Sequence, residues 1–283
     1  MTKFALTPSE VIKINDSSVQ HVNDMLSVEE PLEIILVHFV DDNWVGKNIA
    51  VTMRTPGSDI ALTIGFLFTE GIIQAINQIK FIEETVSIEG NNGLSANQIK
   101  IHLNEHIEFD LLKLERNFYT TSSCGVCGKA SIDAVKIACP IIIPSEKWKI
   151  EKKVLLTLND SLRNAQENFN FSGGIHASAL FNLNGELIDI KEDVGRHNAL
   201  DKLIGNAVQK NEIPLFNNIL FLSGRVSFEL VQKASMVGFR MICAVGAPSS
   251  LAVELAEELD ITLVGFLREN RFNIYSAPER IVL

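Results

Sequence analysis

The chain is poor in positive charge and has no long apolar run. Its 283 residues include 25 Lys and Arg against 35 Asp and Glu, a formal net charge of -10. Such an acidic chain disfavours general nucleic-acid binding, which uses a basic surface. No apolar run approaches the ~20 residues of a membrane helix, and the first residues lack the apolar core of a secretory signal. We therefore expect a soluble cytoplasmic protein that binds neither nucleic acid nor membrane.

Cysteine is also scarce, with four in the whole chain, which argues against a disulfide scaffold. Cys139 and Cys243 lie in apolar runs, so we expect both to be buried. Cys124 and Cys127 are two residues apart within residues 120–129, a segment of hydroxyl side chains and glycines. Because this segment has little to bury, it is expected to be a mobile surface loop with reactive thiols.

The residues after this pair predict a helix over 129–139 that stops at Pro140. A helix N-terminus and the charge of Lys129 lower the pKa of a nearby thiol, and we expect this thiol to be Cys124. Structural zinc needs about four ligands, and no second cysteine pair is present. A zinc site and a dithiol redox pair stay open as alternatives, but the pattern favours a thiol that carries a group in transit.

With 46% apolar residues the chain can bury a large core, and its length suggests two lobes. Apolar alternation, turn residues and helical spacing predict the elements of the first lobe. These are strands at 32–40, 48–54, 80–88 and 97–103 and a helix at 60–71. The predicted organisation is a strand-rich α+β lobe over 1–117, a mobile CxxC loop over 118–128, and an α/β lobe of alternating helices and strands over 129–283.

A polar junction stands out in the second lobe at residues 192–198, just before a helix predicted from Ala199. Glu192, Arg196 and His197 are part of it. Polar groups at the end of a strand are where α/β folds place ligands. The sequence favours a functional junction here over a solvated loop, and it leaves the ligand roles of Glu192, Arg196 and His197 open.

Two strand-to-helix junctions follow with the same composition. Ser223, Gly224 and Arg225 come after a buried strand, and Ser249 lies in the small-residue segment 246–250 after the next one. Free helix N–H groups and hydroxyls at such junctions bind phosphate, and Arg225 adds a fork-shaped cation. The pair of junctions therefore predicts an anionic ligand.

The last predicted strand leads into a segment rich in arginine. Arg268 and Arg271 can hold an anionic group, Phe266 can stack on a base, and Asn270 can read a base edge. A solvated basic tail is the alternative interpretation. In an acidic chain, arginines close to two proposed phosphate loops favour a nucleotide-like ligand.

The ordered set of motifs resembles the formate dehydrogenase accessory sulfurtransferase family. The residues that carry the resemblance are SSCGVCG from Ser122, GIHASA from Gly174, EDVGRHNALDK from Glu192 and SGR from Ser223. It covers nearly the whole chain. The resemblance implies a second lobe with a cytidine-deaminase-like, three-layer α/β/α fold, and a homodimer.

The resemblance also implies a function. Such a protein accepts sulfur from a cysteine desulfurase and passes it to the bis(molybdopterin guanine dinucleotide) molybdenum cofactor of formate dehydrogenase, with GDP as a mimic of the cofactor. The family's persulfide-forming cysteine falls on Cys124, with Cys127 as its companion. Its cofactor-binding segment falls on six consecutive residues: Phe266, Leu267, Arg268, Glu269, Asn270 and Arg271.

One feature of zinc deaminases is missing from this sequence. Those enzymes use His-x-Glu followed by Pro-Cys-x-x-Cys, whereas His176 is followed by Ala177 and Ser178, and the cysteine pair precedes it. Zinc-activated water chemistry and a metal site are therefore not expected. A zinc-stabilised nucleotide-binding chaperone and a dithiol oxidoreductase remain as alternative functions.

Overall fold

The computed structural model describes residues 5–86, 97–105, 107 and 148–283. The strands in these ranges are β1 (Leu6–Asn15), β2 (Ser18–Ser27), β3 (Glu30–Val40), β4 (Asn43–Arg54), β5 (Ile79–Val86), β6 (Asn97–Leu103), β7 (Ile150–Glu151), β8 (His176–Asn182), β9 (Leu187–Asp193), β10 (Asn218–Leu222), β11 (Met241–Ala244), β12 (Thr262–Arg268), β13 (Arg271–Ser276) and β14 (Ile281–Val282). The helices are α1 (Asp59–Thr69), α2 (Lys152–Ala165), α3 (Glu167–Ser172), α4 (Arg196–Gln209), α5 (Phe228–Met236) and α6 (Ser250–Glu258). Of the helices in these ranges, none is long and apolar enough to cross a membrane.

The first lobe contains a sheet in the order β4-β3-β6-β5. β3 runs antiparallel to β4 and parallel to β6, and β5 runs antiparallel to β6. Alternating residues such as Ile34, Ile99 and Ile101 are fully buried on one face, and they share a core with the apolar side chains of α1. The predicted mixture of strands with one buried helix is confirmed in this part of the chain.

The second lobe is built on a sheet in the order β13-β12-β11-β10-β8-β9. β10, β11 and β12 are parallel, and α5 and α6 make the connections between them. Alternation divides the side chains of β10: Leu220 and Leu222 face the core that contains α4, α5 and α6, whereas Ile219 and Phe221 face α2. Helices therefore cover both faces, and the three-layer α/β/α arrangement is confirmed.

The two lobes share one hydrophobic core, in which α1 of the first lobe packs against α4 of the second. The helices cross at Gly65 and Gly205. A Cβ atom at Gly65 would overlap the carbonyl oxygen of Asp201, and one at Gly205 would overlap that of Ala61. Only glycine allows so close an approach of two helix backbones. The predicted boundaries between the lobes, at 117 and 128, lie outside the described residues.

An N-terminal hairpin was not among the predicted elements. β1 and β2 pair along their whole length, from Leu6 opposite Ser27 to Asn15 opposite Ser18. The Ser27 hydroxyl lies 2.7 Å from that of Ser172 at the end of α3, so the hairpin reaches the second lobe. The sequence of this hairpin does not alternate clearly between apolar residues for a core and polar residues for solvent. In the structure, apolar residues such as Ile12 and Ile14 are exposed.

Two helix boundaries in the second lobe differ from the prediction. Apolar spacing in the sequence predicts one helix over about 154–168, whereas in the structure α2 ends at Ala165 and α3 begins at Glu167 after Gln166. The helix expected from Ala199 begins at Arg196. Arg196 and His197 therefore belong to the first turn of α4, and their side chains project from the N-terminal end of this helix.

Candidate functional site

Several strand ends meet at one edge of the second sheet, here called the carboxyl edge. β10, β11 and β12 end there because they are parallel. β8 is antiparallel to β10 and begins there, and β9, which is antiparallel to β8, ends there. In α/β sheets, ligands bind in the crevice outside the carboxyl ends of the strands. The carboxyl edge carries both predicted phosphate junctions and the polar junction at 192–198.

Backbone hydrogen bonds join the two predicted phosphate loops to each other. Gly246 N donates to Gly224 O at 3.0 Å, and Val226 N donates to Ala247 O at 3.1 Å. Ser249 N then donates to Val226 O at 3.0 Å. These three N–H groups are already used, so they are not available to an anion. The loops form a rigid pair, and side chains must supply much of any anion binding.

The two serines of these loops also have local partners. Ser223 Oγ accepts a hydrogen bond from Ala177 N at 2.8 Å, which ties the end of β10 to the start of β8. Ser249 Oγ accepts from Ala252 N at 3.3 Å and caps α6. Each hydroxyl keeps its hydrogen for one further acceptor.

Gly224 provides the surface on which His176 packs. A Cβ atom at this glycine would lie 3.2 Å from His176 Nδ1 and 3.3 Å from its Cε1, closer than ordinary contact. Arg225, the next residue, is exposed. The SGR motif thus brings an imidazole and a guanidinium to the same edge.

Arg196 and His197 project from the first turn of α4. Arg196 Nε is shielded from solvent and has no hydrogen-bond partner among the described residues. His197 Nε2 lies 3.3 Å from Ser227 Oγ, just before α5. The N-termini of α4 and α5 therefore meet where these side chains lie.

Both histidines at the carboxyl edge are held neutral. Burial lowers the pKa of His197 to about 4, helped by the positive charges of Arg196 and Lys233 and opposed in part by Glu229 and Glu70. Burial also lowers the pKa of His176, Arg196 lowers it further, and Asp193 opposes the shift. A neutral imidazole has one donor and one acceptor nitrogen, so each ring can still hydrogen-bond to an anion.

Glu229 is an acidic group beside this cluster, with its carboxylate 3.9 Å from His197 Nε2. Burial alone would raise the pKa of Glu229. Hydrogen bonds from its own N–H and from Ser227, with the nearby imidazole of His197 and the charge of Arg196, outweigh that effect and lower the pKa. Glu229 is therefore an anion at neutral pH and opposes the binding of another.

The same junction also holds the lobes together through Asp193, Asn198 and Lys202. Lys202 Nζ lies 2.7 Å from Asp193 Oδ2, with both side chains almost completely buried, and it donates to Thr55 O at 2.7 Å. Asn198 Nδ2 donates to Met53 O at 2.8 Å. These contacts connect α4 to the end of β4, so this side of the junction is structural.

A second buried ion pair involves Asp201, the residue of α4 directly before Lys202, and Lys233 of α5. Lys233 Nζ is 3.0 Å from both Asp201 Oδ2 and Glu70 Oε1, and it donates to Thr69 Oγ1 at 2.9 Å. Burial raises the pKa of Asp201 to about 6 although Lys233 opposes the shift. For Lys233, burial alone would lower the pKa, but Asp201 and Glu70 outweigh it and raise the pKa.

The role of Glu192, open from the sequence, is structural. Its carboxylate accepts from Asn168 N at 3.0 Å, from Asn168 Nδ2 at 2.9 Å and from Phe169 N at 3.1 Å. It therefore satisfies the first N–H groups of α3 in place of a capping residue. No local sequence pattern indicates this contact, because the partners are more than twenty residues apart in the chain.

The six residues of the C-terminal segment lie at the turn between β12 and β13. Phe266 is 40% exposed with φ 53°. The side chain of Leu267 is buried in the core, so only its backbone can face a ligand. Arg268 donates to Val245 O at 2.8 Å. The remaining three are exposed: Glu269, Asn270 and Arg271.

An open cleft of about 490 Å³ lies beside this turn. Asn270 and Arg271 line it, together with Lys152 at the start of α2. The apolar lining consists of Leu156, Phe272, Ile274 and Leu283. An apolar floor with a few polar groups suits a flat, polar-edged ligand such as a nucleobase.

Cys124 and Cys127 lie outside the described residues, as does the helix predicted at 129–139. Cys243 is fully buried, as expected, and burial raises the pKa of its thiol. Within the described ranges, no three His, Cys, Asp or Glu side chains converge in a way that could hold a metal ion.

Comparisons with known proteins agree on one protein family. A sequence profile of the FdhD/NarQ family matches residues 28–282. The sulfur carrier protein FdhD of Streptomyces avermitilis is 47% identical over 277 residues, covering 97% of this chain and 95% of the relative. The protein of the same name from Sulfolobus acidocaldarius is 41% identical over 274 residues, covering 97% and 98%.

A solved structure shows the same fold. The crystal structure of a candidate formate dehydrogenase accessory protein from Desulfotalea psychrophila aligns with a TM-score of 0.72. The alignment covers 98% of this chain and 100% of the neighbour at 23% identity. At that identity the likeness establishes the fold alone.

Proposed function

The chain belongs to the FdhD/NarQ family, and from this premise we propose that it is a sulfur carrier in the maturation of formate dehydrogenase. Sulfur passes from the persulfide of a cysteine desulfurase to Cys124, and from there to the bis(molybdopterin guanine dinucleotide) molybdenum cofactor. The observation that carries the proposal is 47% identity to a named sulfur carrier across 97% of the chain, in a sequence that contains the Cys124 and Cys127 pair.

Loading of Cys124 is a thiolate exchange. The Cys124 thiolate attacks the outer sulfur of the donor persulfide, forms a new S–S bond and breaks the old one. The donor cysteine leaves as a thiolate, and the outer sulfur keeps its proton. No external oxidant or reductant is needed, and Cys124 ends as a persulfide.

Release of the sulfur uses Cys127. Its thiolate attacks Sγ of the Cys124 persulfide and forms a disulfide between the two residues. The outer sulfur leaves as hydrosulfide with the electron pair of the broken bond, ready to bind the molybdenum of the cofactor. A cellular dithiol then reduces the disulfide for the next cycle.

In this proposal, the molybdenum cofactor that accepts the sulfur binds at the carboxyl edge of the second lobe. The apolar cleft beside Asn270 and Arg271 suits the guanine ring, and Phe266 is exposed nearby in the chain. The phosphate side of the site uses the hydroxyl hydrogens of Ser223 and Ser249 and the exposed guanidinium of Arg225, with Gly224 between them in the loop. Leu267 contributes only through its backbone.

Sulfur loading is the decisive experiment. The full chain is incubated with a cysteine desulfurase and cysteine, and mass spectrometry measures the sulfur added at each thiol. We expect one additional sulfur on Cys124, removable by cyanide, no loading in Cys124→Ser, and loading without release in Cys127→Ser. Unmodified Cys124 in an assay where a known carrier is loaded would refute the proposal.

Two further measurements, of bound zinc and of disulfide turnover, separate the alternative functions. A zinc-stabilised chaperone would contain about one tightly bound zinc per chain that only a chelator removes. A dithiol oxidoreductase would turn over a disulfide substrate without any sulfur donor. We further propose a cytoplasmic homodimer that meets the desulfurase and formate dehydrogenase in turn, and sedimentation of the full chain tests the dimer.

A further inference from the structure

We propose that the outer edge of β2 pairs with the same edge of β2 in a second copy of this chain, so that two N-terminal hairpins join into one four-stranded sheet. The inference rests on the homodimer of the proposed function and names the surface through which that dimer forms. The hairpin ends at Ser27, directly before the residues 28–282 that the family profile matches, so the match assigns it no role.

The hairpin is a sheet of only two strands. β1 and β2 pair with each other over ten residues, and within the described ranges neither of them pairs with a third strand. An isolated two-stranded hairpin is marginally stable in water, and a stable sheet needs three or more strands with an apolar face. Ile12, Ile14 and Val19 share one face of this hairpin and are 57–75% exposed. The hairpin therefore has the apolar face of a larger sheet but too few strands.

The register of the hairpin determines which backbone groups point outward. Val28 N donates to Ala5 O at 2.8 Å just outside the strands, and the pairing continues from there to the turn without a shift. Because antiparallel hydrogen bonds use every second residue, the even-numbered residues of β2 direct their N–H groups toward β1. The odd-numbered residues direct theirs outward. Among the described residues, the outward N–H groups of Val19, His21 and Asn23 have no acceptor.

The two outer edges of the hairpin differ in their protection. On β1 the even-numbered residues face outward, so Pro8 interrupts that edge because it has no N–H, and Lys13 adds a charge to the same strand. Proline and lysine are residues with which proteins protect exposed edge strands. β2 contains neither of them, nor arginine, from Ser18 to Ser27. The edge of β2 is therefore the one that can accept a further strand.

The charge of β2 suits a second copy of the same strand. The chain has a formal net charge of -10, so two copies repel each other over much of their surfaces. Asp24 is the one Asp, Glu, Lys or Arg residue of β2. Its carboxylate accepts a hydrogen bond from Met25 N at 3.0 Å. Two copies can therefore approach along this edge with little opposing charge.

Two-fold symmetry makes the contact self-complementary. An axis perpendicular to the hairpin runs the two β2 strands antiparallel, so outward N–H groups of each copy meet carbonyl oxygens of the other. The exposed apolar residues of both copies then lie on the same face of one four-stranded sheet. Its edges are the two protected β1 strands, which limits the assembly to two copies.

Proline substitutions within one cross-strand pair test this edge. Glu10 of β1 lies opposite Asn23 of β2, and both direct their N–H groups outward. Asn23→Pro removes a donor from the edge of β2. Glu10→Pro is the matched control, because it removes a donor from the edge of β1 and strains the same part of the hairpin.

Sedimentation equilibrium of the full chain measures the dissociation constant of the dimer. We expect Asn23→Pro to raise it by about tenfold or more, since each dimer loses two symmetric hydrogen bonds, and Glu10→Pro to change it by less than about twofold. A dimer that the two variants weaken equally, or that neither weakens, would overturn the pairing through β2. A monomeric wild type would overturn the homodimer itself.

A milder pair of variants decides the matter should Asn23→Pro fail to fold. Lysine opposes edge pairing but keeps the backbone N–H, so Asn23→Lys should weaken the dimer and Glu10→Lys should not. The reverse order, or no difference, refutes the proposal.

Residue-resolved hydrogen exchange of the wild type gives an independent measurement. The outward N–H groups of β2 must become protected as the protein concentration passes the dissociation constant, while those of β1 must not. Protection that appears only when the desulfurase or formate dehydrogenase is added would assign the edge to that partner and overturn the second copy. Sulfur loading of Cys124, measured in the same variants, distinguishes a failure of this interface from a failure of the carrier function.

Discussion

Residues 192–202 present two sides that differ in one property, the pairing of their polar groups. On the side that faces the first lobe, Asp193, Asn198 and Lys202 each have partners at hydrogen-bond distance. On the side that faces the carboxyl edge, Arg196 Nε has none in the described structure, and His197 has one weak contact to Ser227.

The difference separates a structural role from a binding role within one sequence motif. Buried polar groups with complete partners make an interface unique but add little net stability, whereas the loss of one partner is expensive. A buried donor that has no partner among the described residues, such as Arg196 Nε, does not stabilise this interface. We therefore expect substitutions on the two sides to have opposite consequences for stability and binding.

The largest effect is expected for Lys202→Met on the paired side. The change leaves Asp193 fully buried without its cation, and we expect a loss of about 3–5 kcal/mol in the free energy of unfolding. Urea denaturation measures it. Lys100→Ala is the control, because its ion pair with Glu83 is exposed and should be worth about 0–1 kcal/mol. Equal losses in the two variants would contradict the structural role of the paired side.

An intermediate effect is expected for His197→Asn, which should alter how the stability of the fold depends on pH. Its pKa is about 4 in the folded chain against an ordinary 6.5, so the folded state binds fewer protons between these values. Stability is therefore present above pH 6.5 and is lost as the pH falls toward 4. We expect His197→Asn to reduce this acid-induced fall in melting temperature, by a difference on the order of 1 °C for a half-exposed group.

Thermal melting between pH 4.5 and 7.5 measures this difference. His21→Asn, at an exposed position of β2, is the control. Its melting temperature should depend on pH in the same way as that of the wild type. If His197→Asn and the wild type lose stability in parallel on acidification, His197 is not held neutral by its surroundings.

The smallest effect is expected for Arg196→Met on the open side. Methionine keeps the apolar stem but removes a donor that has no partner among the described residues, so the free energy of unfolding should change by no more than about 0.5 kcal/mol. Urea denaturation beside Lys202→Met gives the comparison directly. A loss as large as that of Lys202→Met would show that Arg196 is part of the interface.

Local patterns predicted much of the fold, because periodicity and turn residues act over short distances. The strand expected at 32–40 is β3 (Glu30–Val40), and the helix expected at 60–71 is α1 (Asp59–Thr69). The hairpin of β1 and β2 was not predicted, because apolar residues of β1 such as Ile12 and Ile14 lie on an exposed face. The family resemblance was confirmed by the profile match over residues 28–282.

The sequence predicted the strand-to-helix junctions that carry the candidate site residues, and the binding role of these residues stays a prediction. Sequence placed an anionic ligand at the junctions after β10 and β11, yet it could not show that Gly246 and Ser249 use their N–H groups on the neighbouring loop. It also could not divide the junction at 192–198 into Glu192, which caps α3, and Arg196, whose Nε has no hydrogen-bond partner among the described residues. Such assignments depend on contacts between residues far apart in the chain.

The glycine crossing of α1 and α4 has a consequence for how the protein is made. Gly65 leaves the ribosome about 140 residues before Gly205, a wait of roughly 7–28 s at about 5–20 residues per second. Throughout that interval the apolar surface of α1 has no helix to cover it. The nascent chain therefore offers a natural substrate for cotranslational chaperones, and a stalled or truncated message would release an aggregation-prone fragment.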